Sequence, residues 1–444
     1  MPVEIRTVGG YGEVGKNCTA LRVDDEVILL DMGLHLENYI GFTQDEDIEY
    51  ISTSQLTAAE AIPDISFIKD WKKDVKAIVP THAHLDHIGA IPFLAKKFDA
   101  PVVATPYTCA VLKKILSDEK IKLKNEIISI EPNSFYKVSD KINIEFINMT
   151  HSTPHTAMIA VHTPYGIVVY ANDFKFDLTP TLGQKPSFSR LQQLGKEGVL
   201  ALIVESLYSG YARKTPSEKV AKEMLKEVML GTKNTENAIV VTTFSSHLAR
   251  LKSIIEFGKK MGRKIVFLGR SLSKYVEAGQ DIDLIDFSHD IKIVKWKKQI
   301  KKELKRISIE GKEKYLIVAT GHQGEQRAVL NRIVEGDLGF DFAPGDMVIF
   351  SCQIIPAEVN IENRKHLEEK MRKKGVRIFS DIHTSGHASK EDLRDLINFL
   401  KPQNLIPSHG NKKMAQDFRV LAEEIGYIKG KNLHILNIQN NLLL

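Results

Sequence analysis

The first third of the chain alternates apolar and polar residues with the period of a strand. Residues 3–8, 19–23 and 27–31 are β-branched or alternating and are parted by glycine or aspartate, which predicts short strands joined by tight turns. Val75–Val79, residues 102–105, Asn143–Asn148, 157–162 and 167–171 continue the pattern, with a helix predicted over 88–98. Residues 37–62 are polar and acidic without clear period and read as an inserted loop or lid. The texture changes after Val199–Glu205. Apolar runs of buried parallel type (238–244, Lys264–Leu268, Tyr315–Ala319, Met347–Phe350, 376–379) now alternate with helical segments at 217–229, 248–261 and 365–374. That α/β pattern predicts a second domain. A helix over Lys390–Leu400 and a strand at 404–406 precede a mixed tail.

Composition narrows the class. The 444 residues leave room for two or three domains, and 43% hydrophobic with 26% charged residues is ordinary for a soluble globular protein. A disordered chain, a collagen, a disulfide knot and a membrane bundle are excluded. No apolar stretch approaches the roughly 18 residues that span a bilayer, and the N-terminus lacks the basic head and apolar core of a secretory signal. Cys18, Cys109 and Cys352 are far apart with no C-x-x-C pair, so a thiolate metal site is not expected and a reducing cytoplasm is the expected location. The formal net charge of +5 is mild but compatible with a polyanionic partner. Residues 295–306 concentrate seven basic residues and one acid, with Trp296, Ile300 and Leu304 at helical spacing. This predicts an amphipathic helix whose basic face is either simply solvated or attracts an RNA backbone.

Two motifs carry chemistry. Gly10-Tyr11-Gly12-Glu13-Val14-Gly15 fits the dinucleotide pattern G-x-G-x-x-G, but that fingerprint needs a helix directly after it. Residues 18–23 read as a strand, so the glycines form a hairpin connection and no nicotinamide cofactor is expected. Thr81-His82-Ala83-His84-Leu85-Asp86-His87 follows one predicted strand and precedes a helix. Three imidazoles and a carboxylate so close together cannot all be satisfied as core residues, and their chemistry suits zinc, with manganese as competitor. The spacing lets His82 and His84 hold one ion while Asp86 and His87 turn toward a second.

The same run is the H-x-H-x-D-H signature of the metallo-β-lactamase fold. Gly12 to Asn17 and Asp31-Met32-Gly33 resemble that family's opening strands. His151, Asp173 and His409 match its later metal motifs in order; taken alone, His151 and His409 would read as ordinary loop residues. The α/β unit between Asp173 and His409 resembles the inserted domain of the β-CASP nucleases. The resemblance implies an αββα sandwich formed by residues 1–205 and 384–444, interrupted by a β-CASP domain over 206–383. Glu205 and His387 match β-CASP acid and histidine motifs, and a histidine at His409 resembles the RNA-directed branch. Within it, residues 9–17, Asp173 to Asp177, Leu268 to Ser271, Gly321 to Glu325 and Ser385 to Ser389 resemble ribonuclease J, in its short archaeal form.

That resemblance implies a dimetal 5′-to-3′ exoribonuclease acting on single-stranded RNA. Two Zn2+ per chain are expected, with Mn2+ or Mg2+ as alternatives. Asp86, Glu205 and His387 are the expected catalytic residues: Asp86 orients the attacking hydroxide, and His387, held by Glu205, protonates the leaving 3′-oxygen. Ser385, Gly386, His387, Ala388 and Ser389 are expected to hold a 5′-monophosphate. Departures exist. No further C-terminal domain is expected, so the bacterial route to dimers is absent, while a homodimer by another route and partners in an RNA-decay complex stay open. Residues 37–62 are longer than in bacterial members, and His155 and His322 replace more typical Asp and Ser. Glu205 stands where ribonuclease J usually has Asp, which leans toward the alternative, an endonuclease of the 3′-end-processing (cleavage and polyadenylation) type. A small-molecule metallohydrolase and a non-catalytic RNA-binding scaffold are the remaining rivals.

Overall fold

The computed structural model describes residues 3–44, 52–356 and 358–444. The chain forms two compact units: residues 1–178, 183–215 and 386–444 make the first, and residues 179–182 and 216–385 the second. The main segment of the second unit runs from Pro216 to Ser385; the sequence reading put the inserted domain at 206–383. Among the described residues, no helix is long and apolar enough to cross a membrane.

The first unit is built on two sheets of seven and six strands. Period-two patterning decides which side chain enters which layer. Along Ala157–Thr163, Ala157, Ile159 and Val161 enter one apolar cluster while Met158 and Ala160 enter another. The first cluster also takes Ile5, Leu21 and Ile28 from the opposite sheet, so it is the filling of the sandwich. The second cluster packs under the helices Phe188–Glu197, Lys390–Leu400 and Lys412–Glu424 through Leu191, Leu396 and Phe418. A one-residue slip would exchange the two sets, so the layers themselves hold the register. Three neighbouring strands, Gly166–Ala171, Val199–Glu205 and Asn404–Ser408, run parallel, which brings their carboxyl ends to one edge. In the other sheet Glu26–Leu30 and Val75–Val79 do the same.

The second unit is one six-stranded sheet, wholly parallel. Its central strands Ile239–Thr242, Tyr315–Ala319 and Met347–Phe350 are buried end to end, as expected for strands covered on both faces. Beneath it lies a buried ion pair. Arg250 donates to Glu218 Oε1 at 2.5 Å and Oε2 at 2.8 Å, and to the carbonyls of Ser351 and Ile382 at 2.8 and 3.1 Å. Burial would push the Glu218 carboxyl up, but His247 and Arg250 hold it well below the usual range.

Several elements differ from the sequence reading, each for an identifiable reason. The helix expected over 88–98 is broken into Leu85–Ile88, Ile91–Leu94 and a 3₁₀ turn Ala95–Lys97. Gly89 closes the first piece, and Pro92 supplies no N–H and crowds the preceding turn. Residues 37–62 are not simply an irregular loop: helices Leu36–Gln44 and Thr53–Ala58 occupy much of them, the second started by a Ser52–Gln55 capping box, while 45–51 lie outside the described residues. The helices Pro106–Asp118 and Lys412–Glu424 went unread, although a proline at the first helical position marks the start of one. The basic helix runs over Lys297–Glu310, and its inward stripe is Ile300, Glu303, Leu304 and Ile307. Trp296 caps it from outside with 56% of its surface exposed, so it does not belong to the apolar stripe.

Replacing Arg250 by Met should cost roughly 3–5 kcal/mol, because it strands a buried carboxylate. Denaturant unfolding measures this, and the double variant Arg250→Met/Glu218→Gln should recover much of the loss; a single variant as stable as the parent would contradict the ion pair's role.

Candidate metal centre

The run Thr81 to His87 leaves the carboxyl end of Val75–Val79 and enters the short helix Leu85–Ile88, with His84 as its N-cap. A layer of backbone hydrogen bonds fixes this loop from below. Met32 N–H donates to His87 O at 2.7 Å, Leu34 N–H to Leu85 O at 2.9 Å and Asn17 N–H to Asp86 O at 3.0 Å. A Cβ on Gly33 would fall 1.6 Å from Asp86 O, so no side chain fits there. This explains the Asp31-Met32-Gly33 and Gly9-to-Asn17 motifs: they are the floor under the histidine loop. The last histidine is tied to the same floor, since His409 N–H donates to Gly10 O at 2.6 Å.

All seven residues expected to be ligands meet at this edge, in two groups that share Asp173. In the first, His84 Nδ1 is 3.0 Å from His82 Nε2 and 3.1 Å from His151 Nε2. Asp173 Oδ2 is 3.4 Å from His82 Nε2 and 3.6 Å from His151 Nε2. In the second, His87 Nε2 is 3.3 Å from Asp173 Oδ2 and 3.6 Å from Asp86 Oδ2. His409 Nε2 is 3.2 Å from Asp173 Oδ1 and 3.6 Å from Asp86 Oδ2. Four ligands about 2.0–2.1 Å from a tetrahedral ion stand about 3.3 Å from one another. Both groups straddle that edge length, and Asp173 Oδ1 is buried without a hydrogen-bond partner. The cluster therefore fits a dimetal site.

Partners behind the rings aim them. His87 Nδ1 donates to Asp31 Oδ2 at 2.7 Å, and His151 Nδ1 donates to Gly386 O at 2.7 Å. His82 Nδ1 lies 3.0 Å from the Thr81 hydroxyl, which itself donates to Asp31 Oδ1 at 3.0 Å. Each bond places the proton on Nδ1 and leaves the Nε2 lone pair facing the centre, the arrangement that orients metal-binding imidazoles. Burial and neighbouring imidazoles push His84 and His151 well below the usual range, so both rings are neutral and able to ligate. Burial would lower His87 too, but Asp173, Asp31 and Asp86 hold it well above the usual range, which marks a field that attracts a cation. The backbone is strained at the same places: Asp31, Asp173 and His409 have φ of 60°, 55° and 46°. Left-handed geometry costs a non-glycine residue on the order of 1–2 kcal/mol, and such costs gather at functional sites.

Beside the two groups stands a third. Glu205 is buried at the end of its strand, with Oε2 accepting from His387 Nδ1 at 2.7 Å and Oε1 from Phe174 N–H at 2.9 Å. One carboxylate thus holds both the imidazole and the backbone next to Asp173. Burial would lower His387, but Glu205 and Asp173 outweigh it and raise the ring to about 9.

The expected phosphate-binding run is in part otherwise engaged. Ala388 N–H donates to Glu205 Oε1 at 3.3 Å, and Ser389 N–H donates to Asp392 Oδ2 at 3.1 Å. Ser389 forms the capping box of Lys390–Leu400, and its hydroxyl is 2.9 Å from that of Thr215. The fold itself thus engages these two N–H groups. Gly386 presses on His151, where a Cβ would come 2.8 Å from the ring, and His387 O accepts from the Thr215 hydroxyl at 2.7 Å. Ser385 is the last residue of the second unit.

Sequence reasoning missed the orienting roles of Asp31, Thr81 and the Gly386 carbonyl. Asp31 had a readable signal, an acid ending an apolar strand just before a glycine; the carbonyl had none, because any residue supplies one.

Comparison with known proteins agrees with this architecture. Residues 11–179 match the metallo-β-lactamase superfamily, 236–366 the ribonuclease J β-CASP domain, and 366–435 the Zn-dependent metallo-hydrolase RNA specificity domain. The chain is 44% identical to ribonuclease J of Methanocaldococcus jannaschii, covering 98% of this chain and 97% of that one. It is 41% identical to ribonuclease J of Pyrococcus abyssi, covering 99% and 98%. A crystal structure of an Enterococcus faecalis protein of unknown function shares the fold at a TM-score of 0.66 and 16% identity, with 100% of both chains covered. The sandwich, the inserted parallel unit and near full-length likeness together place the chain in the ribonuclease J family, whose metallo-β-lactamase domain carries an inserted β-CASP domain.

Proposed function

We propose that this chain degrades single-stranded RNA from the 5′ end, one nucleotide at a time, using two zinc ions and preferring a 5′-monophosphate. The coarser part follows from the family: the chain is a metal-dependent, RNA-binding nuclease. The observation that carries the finer reading is the adjacency of two ligand groups and a Glu205–His387 pair around one carboxylate, Asp173. His82, His84 and His151 would hold one ion, Asp86, His87 and His409 the other, and Asp173 would serve both. The imidazole-rich, thiolate-free set favours zinc. Ions there would activate water at neutral pH and neutralise charge developing on the scissile phosphate.

The side chains supply the rest. Asp86 is the more exposed of the two ligating carboxylates, 17% against 2% for Asp173, and is placed to orient the attacking water. His387 gives its proton to the leaving 3′-oxygen, and Glu205 keeps the ring charged and pointed. The 5′-monophosphate preference rests on the likeness of residues 385–389 to the family's motif.

His387→Ala should slow cleavage on the order of 10²–10⁴-fold while both ions stay bound, whereas Asp173→Ala should lose metal from both groups; elemental analysis beside a rate assay separates them. Metal loss in the His387 variant would overturn its assignment. Labelled RNA bearing monophosphate, triphosphate or hydroxyl 5′ ends should yield mononucleotides, fastest from the monophosphate, and none with Asp86→Ala. Long fragments would instead assign the endonuclease reading, and equal rates on all three ends would remove the 5′-phosphate preference.

A further inference from the structure

We propose that the helix Lys297–Glu310 is a docking surface for the phosphate backbone of single-stranded RNA, with Trp296 at its start stacking on a base. The proposal rests on the reading of RNA as substrate. The helix buries Ile300, Glu303, Leu304 and Ile307. At about 100° per residue, Lys298, Lys301, Lys302 and Lys305 fall on the side away from that stripe, with Lys297 at its flank. All five are exposed, and none makes an ion pair among the described residues. Their neighbours behave differently: Lys292 pairs with Glu303 at 2.7 Å, Lys295 with Glu277 at 2.5 Å, and Arg306 with Glu303 and Glu310. The helix's own acids, Glu303 and Glu310, are thus paired with other cations, and its exposed lysines have no acid interleaved among them.

That arrangement costs the helix something. Lys297 and Lys301, Lys298 and Lys302, and Lys301 and Lys305 are like-charge pairs one turn apart, each unfavourable by a few tenths of a kcal/mol. An ordinary solvated face interleaves acids to avoid this. Two apolar side chains add to the case. Trp296 is 56% exposed, while Trp71, the other tryptophan, is 1% exposed. Ile309, 86% exposed, lies between the lysine rows. Lysines beside an exposed aromatic are what a single strand needs: cations track its phosphates and the indole accepts a base face. An anionic membrane is the other surface that attracts such helices, but insertion requires the apolar face, and here that face is buried in the core of its own unit.

The two tryptophans make the test direct. Metal-loaded full-length protein is titrated with a hydrolysis-resistant phosphorothioate RNA of roughly 30 nucleotides, longer than a single binding site. Fluorescence from Trp296 should be quenched, and Trp296→Phe should abolish the change. Lys298→Gln/Lys302→Gln/Lys305→Gln should weaken binding by roughly 100-fold at 0.1 M salt and reduce the salt slope by about 2, at ~0.7 per lost phosphate contact. A control, Lys219→Gln/Lys233→Gln/Lys365→Gln, removes the same charge from other exposed positions of the unit and should leave the slope unchanged. An absent quench, an unchanged slope in the first variant, or an equal loss in the control would overturn the docking surface, with cleavage and the nuclease reading still standing. Polyglutamate quenching Trp296 as RNA does would overturn it in favour of an acidic protein. Normal quenching by that RNA, with unmodified RNA left uncleaved by the same protein, would remove the nuclease reading and leave the docking surface.

Discussion

Asp173 is the constraint on which the rest of the site depends. One buried carboxylate faces His82 and His151 on one side and His87 and His409 on the other. Burial opposes its charge, yet His409, His87 and His387 hold it well below the usual carboxylate range. Its backbone is left-handed, and the next N–H is gripped by Glu205. On one side of this carboxylate the neutral rings of His84 and His151 direct ring nitrogens at one another across 3.1 Å, an arrangement poorly matched without a cation. Converging ligands of this kind are stable when an ion fills the space between them.

The fold makes this convergence through strand direction. Parallel neighbours end at one edge, so Asp173, Glu205 and His409 arrive together though 236 residues of chain separate the first from the last. The pairing of Glu26–Leu30 with Val75–Val79 does the same for Asp31 and the histidine loop. Ligands outside the carboxyl ends of parallel strands are the general outcome of such sheets. What is particular here is the tightness of the floor: Gly33 lets the Asp86 carbonyl approach closer than any side chain would permit.

Much of this was legible in the chain. The strands of period two and the buried parallel runs declared themselves because burial on one or both faces writes directly into sequence. The histidine loop was legible because three imidazoles and a carboxylate so close together cannot all be satisfied as ordinary core residues. Glu205, His387 and the later ligands became legible only through resemblance, since a lone acid or histidine at a strand end is chemically ordinary. Other features had no sequence signal. The commitment of Ala388 to Glu205 and of Ser389 to Asp392 depends on tertiary placement, and so does the pairing of Lys292, Lys295 and Arg306 that leaves five lysines of one helix uncompensated.

The central claim is that one carboxylate organises two adjacent cation sites. Anomalous X-ray scattering from crystals of the zinc-loaded protein, collected across the metal's absorption edge, tests it most directly. The account predicts two peaks about 3.5–4 Å apart, one bounded by His82, His84 and His151, the other by Asp86, His87 and His409, with Asp173 touching both. A single peak, or two peaks with Asp173 bound to neither, would contradict it.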